Sequence, residues 1–451
     1  MCSSQRKHAP DNVGSEKSMQ TSLRGIADKA RENKEHRFQN LFGMLNEENL
    51  METYGRLNKS SAPGVDRVTI REYGENLEEN VSDLADRVKG GRYRAKLIMR
   101  KNIPKGNGKL RPLGIPATED KLLQTAASDI LMAIFELDFL SGSFGYRPKV
   151  GALDAAGKLS EELYHGGYNF VVEADIKGFF NNIDHDWMLE MLRQRVDDES
   201  FLRLIRKWLK AGVLEEDKRI MKPESGTPQG GSISPVLANV YLHYAFDLWF
   251  QRVVAKHMRG KVFFVRYADD FVSLFQFKED ADEFYSYLPQ RLAKFGLELS
   301  MEKTGIIPFN RYHKGSSFNF LGFEFRWRFS RKGRPYVYPR TSLKKMRSSL
   351  QALRQWCRKN RHLGTREIFK MINAKLRGHY NYFGFSCNYD RLYKFFYRVV
   401  MVLKKWLNRR SQKRNCPWEK FRRMLKNFDI ERPRIRKALP PAHEQLKLIS
   451  C

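Results

Sequence analysis

The stretch Val262–Phe275 constrains the fold of this chain more than any other feature. Two runs of apolar, β-forming residues flank the adjacent aspartates Asp269 and Asp270. Successive residues of a strand point to opposite faces, so neighbouring carboxylates serve one site only if a turn bends the backbone beneath them. The sequence therefore predicts a β-hairpin with both carboxylates at its tip. A divalent cation would relieve their repulsion, and an ordinary solvated turn is the alternative.

A third aspartate, Asp175, ends the predicted strand Phe170–Asp175. One acid at a strand end can equally be a helix cap, so its interpretation depends on Asp269 and Asp270. Three such aspartates can hold two Mg²⁺ ions roughly 3.5–4 Å apart for in-line phosphoryl transfer. This site favours nucleotide addition to a primer 3′-hydroxyl. Lys303 is a candidate proton donor to the pyrophosphate, with a plain surface lysine as the alternative.

Two loops carry groups suited to a nucleotide. Lys109 ends a glycine-rich basic loop and Arg111 follows it, so both can meet a triphosphate, although a solvated basic hairpin has the same pattern. Gln229 lies among glycines that let the backbone approach a ligand, with a plain loop-to-helix entry as the alternative. The helix that follows, capped by Ser234, is predicted to run to Phe250.

The charge is strongly basic, with 82 Lys and Arg against 51 Asp and Glu, a net charge of +31. Residues 326–451 alone hold 35 basic against 6 acidic residues, a local net of +29. This distribution favours a near-neutral catalytic body with a nucleic-acid-binding arm, and a solvated basic face is the alternative. Three apolar stripes at helical spacing predict a helical bundle in residues 343–406. From Ser411 onward we expect a loosely ordered chain.

The apolar runs and the cysteines of the sequence indicate the cellular compartment of the protein. No run of about 18 apolar residues is present to span a membrane. The five cysteines have no C-x-x-C spacing, which predicts reduced thiols and no structural zinc. We therefore expect a cytoplasmic, nucleoid-associated protein with no membrane partner.

Several motifs, in their order along the chain, resemble those of the reverse transcriptases encoded by mobile group II introns. The resemblance spans about Phe38 to Gly384. It includes the catalytic box, the first metal-binding motif, the template- and nucleotide-contacting motif, two fingers motifs and a thumb or maturase motif. Tyr267–Asp270 resembles the catalytic box, and Asp175–Phe180 resembles the first metal-binding motif. Gly226–Pro235 with Ala238–Asn239 resembles the template- and nucleotide-contacting motif. Arg111–Pro116 and Phe144–Pro148 resemble the two fingers motifs, and Arg377–Gly384 resembles the thumb or maturase motif.

The resemblance implies an α+β fold of the right-hand polymerase type, with fingers, a palm built on an antiparallel sheet, and a helical thumb. Together with the composition of the two ends, it divides the chain into five segments. These are a polar leader (1–37), the N-terminal extension and fingers (38–115), the palm with the remaining fingers (116–330), the helical thumb or maturase domain (331–410), and a basic tail that is a candidate DNA-binding segment (411–451).

The resemblance also implies roles for single residues. Asp175, Asp269 and Asp270 would be catalytic and, with the backbone carbonyl of Ile176, would bind two Mg²⁺ ions. The aromatic edge of Phe180 would exclude the 2′-hydroxyl of a ribonucleotide by steric clash. The implied nucleotide-binding residues are Lys109, Arg111, Ile176, Phe180, Gln229 and Lys303.

The resulting hypothesis is an RNA-directed DNA polymerase that copies intron RNA into cDNA and assists splicing as a maturase. Its partners would be the RNA template, the intron RNA, a DNA primer or target, and deoxynucleotides. Asn181 stands where the family often has an acid; we do not expect this position to ligate metal, so catalysis should survive. The paired cysteines and His/Asn cluster of the family's endonuclease domain are not found, so we expect no second-strand cleavage. The alternatives are a non-enzymatic RNA-splicing factor and a domesticated relative in phage defence, spacer acquisition or DNA repair.

Overall fold

The computed structural model describes residues 19–104, 110–221, 225–227, 229–312, 315–330, 332–410 and 416–438. The chain divides into two compact units. The first comprises residues up to 102, 112–138 and 189–234, and the second comprises residues 103–111, 139–188 and 235 onward. The mixed α+β class predicted from the sequence is confirmed. No helix in the described ranges is both long and apolar enough to cross a membrane.

The elements alternate irregularly along the chain. The helices are α1 (Met19–Glu32), α2 (Glu47–Arg56), α3 (Ile70–Tyr73), α4 (Leu77–Lys89), α5 (Thr118–Phe135), α6 (Ala152–His165), α7 (His185–Arg193), α8 (Glu199–Leu209), α9 (Ser234–Leu242), α10 (Ala255–His257), α11 (Lys278–Ala293), α12 (Leu343–Lys359), α13 (Thr365–Phe383), α14 (Tyr389–Asn408) and α15 (Trp418–Asn427). The strands are β1 (Ile98–Pro104), β2 (Leu110–Ile115), β3 (Phe170–Asp175), β4 (Val213–Leu214), β5 (Ile220–Met221), β6 (Val262–Tyr267), β7 (Asp270–Phe275), β8 (Gly305–Pro308), β9 (Ser317–Phe320), β10 (Phe323–Phe329), β11 (Pro335–Val337) and β12 (Arg340–Thr341).

The first unit packs helices around α5, which is buried along most of its length. Helices α1 and α2 both pack against α5, so residues 19–32 of the expected polar leader form a helix. A small sheet has the strand order β2-β1-β4-β5. Strand β1 runs parallel to β4, and β4 pairs antiparallel with β5.

The second unit is built on an antiparallel sheet with the strand order β6-β7-β3-β8. Helix α6 packs against β6, and α11 packs against β3, β7 and β8. One hydrophobic cluster continues from Val171, Val265 and Val272 of this sheet to Leu350 and Ile372 of the C-terminal helices. The sheet that carries the aspartates is therefore packed into the same core as α12 and α13.

The helix after Ser234 differs from its prediction. It is α-helical only to Leu242, and π-helical turns follow at His243–Asp247 and Phe250–Val254. A π turn adds one residue to the helical repeat, which rotates the side chains beyond it relative to a regular α-helix. Asp247 lies in the first of these turns, so the shift changes the direction in which its side chain points.

The predicted helical bundle is confirmed as α12, α13 and α14, each with its apolar stripe buried. The expectation of a loosely ordered chain after Ser411 is wrong for the described residues 416–438. Helix α15 buries Phe421 completely, because this side chain packs into the same hydrophobic cluster. The chain beyond α15 then pairs with Phe385, and the Lys437 amine lies 2.7 Å from a carboxylate oxygen of Asp154.

His379 on α13 is buried against an aromatic ring. Its imidazole stacks on Phe395 with ring centroids 3.8 Å apart, and its Nε2 atom has no hydrogen-bond partner among the described residues. Burial lowers the pKa of His379 from 6.5 to about 4. Between these pH values the unfolded chain binds a proton that the folded chain does not, so stability falls as the pH falls.

We therefore expect His379→Phe to resist acid better than the wild type. The substitution keeps the stacked ring and removes the titrating group. Since one pKa unit corresponds to about 1.4 kcal/mol, the wild type should lose up to about 3 kcal/mol more than the variant between pH 6.5 and pH 4. Urea unfolding of both proteins at the two pH values measures this difference, and identical pH dependence would contradict the assignment.

Candidate active site

The antiparallel sheet brings the predicted aspartates together. Asp175 is the last residue of β3 and Asp270 is the first residue of β7, and the two face each other in register. Directly opposed residues of an antiparallel pair have Cβ atoms about 4.5–5.5 Å apart. Asp269 lies beside them in the two-residue turn that joins β6 to β7. The hairpin predicted from the sequence is confirmed.

The turn has an unusual backbone. Ala268 has φ of +58°, in the left-handed region, at the first central position where a type II′ turn normally has glycine. For an alanine this conformation costs about 1–2 kcal/mol. Gly145 packs directly beneath it, and a Cβ atom at Gly145 would overlap the backbone nitrogen of Ala268. The turn is therefore held against a segment that tolerates no side chain at this point.

Arg266, two residues before the turn, holds the turn in place through its buried side chain. Its guanidinium is fully buried and forms a double ion pair with Asp247, with N···O distances of 2.8 and 2.6 Å. It also donates to the Ser143 hydroxyl at 2.6 Å and to the Ala268 carbonyl at 3.2 Å. A buried guanidinium is stable only when its donors are paired, so these contacts fix the turn relative to its surroundings.

Asn239 corrects one expectation of the sequence analysis. Its segment, Ala238–Asn239, resembled a motif that contacts the template and the nucleotide, yet the side chain of Asn239 is fully buried. Its amide donates to the Gly145 carbonyl at 2.6 Å, and its oxygen accepts from Arg266 at 3.2 Å. Asn239 therefore braces the turn, and its buried side chain is not available to a template.

The three carboxylates repel one another. Burial is the largest cause that raises the pKa of Asp270 to about 7, and the charges of Asp175, Asp269 and Glu173 contribute to this rise. Burial also raises the pKa of Asp269, and the charge of Asp175 acts in the same direction. The Lys303 amine lies 2.6 Å from Oδ2 of Asp175 and partly offsets this repulsion. Its hydrogen bond to Asp175 raises the pKa of Lys303.

The chemistry of this donor set suits a hard divalent cation, because such ions prefer carboxylate and carbonyl oxygens. As the side chains stand, no group of three or more His, Cys, Asp or Glu residues in the described ranges is arranged to hold a metal ion. The Lys303 ammonium instead supplies a positive charge at Asp175. The residues thus fit a cation in charge and donor type, and binding would require the amine to move away from Asp175.

Ile176 and Phe180 lie in the same unit as the aspartates. Ile176 forms an isolated antiparallel β-bridge with Leu299. The backbone hydrogen bonds of this bridge are formed by the carbonyl of Asp175 and the N–H of Lys177, so the carbonyl of Ile176 is not needed for the pairing. Phe180 is 8% exposed and packs edge-on against Phe179, with ring centroids 5.3 Å apart.

Arg111 is also in this unit, and its charge lowers the pKa of Asp269 against the effect of burial. Lys109 lies outside the described residues.

Gln229 belongs to the first unit, and its nucleotide contact stays a prediction. Its carbonyl accepts from the N–H of Gly114 at 2.6 Å. The neighbouring Gly230 has φ of +117°, and a Cβ there would lie 2.6 Å from the Gly114 carbonyl oxygen, so this glycine is explained by packing within the chain.

Two family models match the chain. The model for reverse transcriptase (RNA-dependent DNA polymerase) matches residues 103–325, and the model for the group II intron maturase-specific domain matches residues 346–425. Protein YkfC of Escherichia coli (strain K12) is 31% identical, with 70% of this chain and 91% of YkfC covered. The chain belongs to the group II intron reverse transcriptase and maturase family.

Group II intron-encoded protein LtrA of Lactococcus lactis subsp. cremoris is 30% identical, with 71% of this chain covered. The match spans 66% of LtrA, slightly less than two thirds of its length. Telomerase from Candida albicans, solved with a fragment of telomeric RNA, is 15% identical and superposes with a TM-score of 0.42. The superposition covers 75% of this chain and 64% of the telomerase chain. A likeness at that level carries no conclusion about this chain.

Arg266 and Asp247, which hold the turn in place, were not predicted from the sequence. A signal for Arg266 was present, because an arginine interrupts an otherwise apolar and aromatic strand two residues before the turn. A charge at such a position is rare unless it is paired. Its partner was not predictable, because Asp247 lies 19 residues earlier on a π-helical turn that the sequence did not indicate.

Removing the Arg266 charge should strongly destabilise the protein. Arg266→Met keeps much of the side-chain volume but leaves Asp247 buried without its partner, at a cost of about 3–5 kcal/mol. Denaturant unfolding measures the loss, and Asp247→Leu in the same background should recover part of it. The matched control is Arg193→Met, which breaks exposed pairs and should cost less than about 1 kcal/mol. An Arg266→Met loss as small as the control's would contradict this account.

Proposed function

We propose that this chain is an RNA-directed DNA polymerase that extends a DNA primer on an RNA template and assists intron splicing as a maturase. One observation carries the polymerase proposal: Asp175 and Asp270 face each other in register, with Asp269 in the adjoining turn, inside the segment matched by the reverse transcriptase model. In this proposal, residues 38–115 are the N-terminal extension and fingers, 116–330 supply the palm, 331–410 form the thumb and 411–451 contact DNA.

The carboxylates of Asp175, Asp269 and Asp270 would hold two Mg²⁺ ions together with the carbonyl of Ile176. When bound, such ions supply Lewis acidity that activates the primer hydroxyl and offsets the charge of the phosphates. The contribution of the protein is to hold three mutually repelling carboxylates at fixed positions. The raised pKa values of Asp269 and Asp270 support this role, because a site that disfavours its own negative charge gains most from a cation.

Other side chains of the same unit would act on the nucleotide. Arg111 would hold the phosphates through its guanidinium fork. The Lys303 ammonium would leave Asp175 and donate a proton to the departing pyrophosphate. Phe180 would close the space beneath the sugar and reject ribonucleotides. Lys109 and Gln229 would complete the contacts to the triphosphate and the base.

The maturase part of the proposal is supported by the match over residues 346–425 and by charge. From residue 343 to residue 410 the chain contains 18 Lys and Arg residues and only Glu367 and Asp390 as acids. The apolar stripes of α12, α13 and α14 are buried, so these cations lie on the outer faces of the bundle. Such a surface suits an RNA backbone, and nucleic-acid partners would place the protein at the nucleoid.

The matched families give no preference to a domesticated relative in defence or DNA repair. A non-enzymatic splicing factor makes a different prediction, because it would bind RNA without extending a primer. Both activities can therefore be examined with one substrate, a synthetic RNA template with an annealed DNA primer.

We expect Asp270→Asn to reduce primer extension by at least about 100-fold, because it removes a carboxylate that would bind metal directly. Binding of the template–primer without nucleotides should be unchanged and should weaken steeply with salt. Asp282→Asn, at an exposed acid on α11, is the matched control and should extend the primer like the wild type. Full activity of Asp270→Asn would overturn the assigned site, and a wild type that binds but never extends would favour the non-enzymatic alternative.

A further inference from the structure

Tyr146 has a backbone conformation that is unusual for an aromatic residue. Its φ is +58°, in the left-handed region, and its side chain is 42% exposed. Bulky residues adopt this conformation rarely, and it persists only where the surrounding structure imposes it. Outliers of this kind cluster at functional sites, so the surroundings of Tyr146 show whether this one belongs to such a site.

The segment before Tyr146 is fixed to the aspartate hairpin by backbone hydrogen bonds. The N–H of Arg266 donates to the Gly142 carbonyl at 2.7 Å, and the N–H of Phe144 donates to the Arg266 carbonyl at 2.9 Å. Gly145 then packs against Ala268 with no space for a side chain, and its carbonyl accepts from Asn239. Tyr146 follows immediately, so its position is set by the same contacts that hold the turn of Asp269.

The Tyr146 side chain extends toward the predicted nucleotide residues. Its ring lies edge-on to the Phe180 ring, with centroids 6.4 Å apart and planes at 71°. Burial raises the pKa of Tyr146, the charge of Asp269 acts in the same direction, and Arg111 opposes them. The tyrosine therefore contacts Phe180 and lies close enough to Asp269 and Arg111 for their charges to act on its hydroxyl.

We propose that Tyr146 is a positioning residue for sugar selection, whose ring holds the Phe180 ring in the orientation that excludes a ribose 2′-hydroxyl. The inference rests on the proposed function, in which Phe180 lies beneath the sugar of the incoming nucleotide. An edge-to-face pair restricts the rotation of both rings. Without Tyr146, Phe180 keeps its packing on Phe179 but loses the contact with the Tyr146 ring, so the Phe180 ring can rotate more freely.

This role predicts a selective effect on specificity. The measured quantity is the ratio of kcat/KM for dCTP to kcat/KM for CTP, opposite guanine in an RNA template. Tyr146→Ala should lower this ratio by about threefold to tenfold, which corresponds to the worth of one aromatic pair. Tyr146→Phe keeps the ring and should retain the wild-type ratio. Tyr287→Ala, at an exposed tyrosine on α11, is the matched control and should also retain it.

A double-mutant cycle separates positioning from a merely structural role. If Tyr146 acts through Phe180, then Tyr146→Ala should change the ratio no further in a Phe180→Ala background. A Tyr146→Ala variant that lowers both efficiencies equally, with an unchanged ratio, would overturn this inference and leave the proposed function intact. If the wild type incorporates neither nucleotide, the proposed function fails and the inference fails with it.

Discussion

The buried ion pair of Arg266 and Asp247 is the interaction on which the candidate site depends. Both side chains have no exposed surface, so each charge is stable only because the other is present. Arg266 extends this pairing to Ser143, Asn239 and the Ala268 carbonyl. One guanidinium thus joins strand β6, the helix after Ser234 and the segment before Tyr146, and the turn with Asp269 lies at the point where they meet.

The site contains two unfavourable features that this brace maintains. Ala268 has a left-handed backbone that favours glycine, and Asp270 has a pKa of about 7 because it lies buried near other carboxylates. Neither feature would persist in a flexible loop, which would relax toward solvent. The Lys303 ammonium at Asp175 partly offsets the repulsion between the carboxylates. In the proposed function, bound cations would relieve the rest of this repulsion.

The local elements were predictable from the sequence because their signals are local. The alternating apolar residues around Asp269 and Asp270 predicted the hairpin, and the apolar stripes of residues 343–406 predicted α12, α13 and α14. The contacts that hold the turn in place were not predictable. Ala238–Asn239 was expected only as part of a template- and nucleotide-contacting motif. The role of Asn239 in holding the turn depends on its hydrogen bond to Gly145, which lies 94 residues away in the sequence. The order of α15 depends likewise on the hydrophobic cluster that covers Phe421.

The most direct test of the central claim is a crystal structure grown with Mn²⁺, an RNA template, a chain-terminated DNA primer and the matching deoxynucleotide. Anomalous scattering locates Mn²⁺ independently of the protein. We predict Mn²⁺ bound by the carboxylates of Asp175 and Asp270, with the Lys303 amine displaced from Asp175. An intact Lys303–Asp175 pair, with no Mn²⁺ among the three aspartates, would contradict the account.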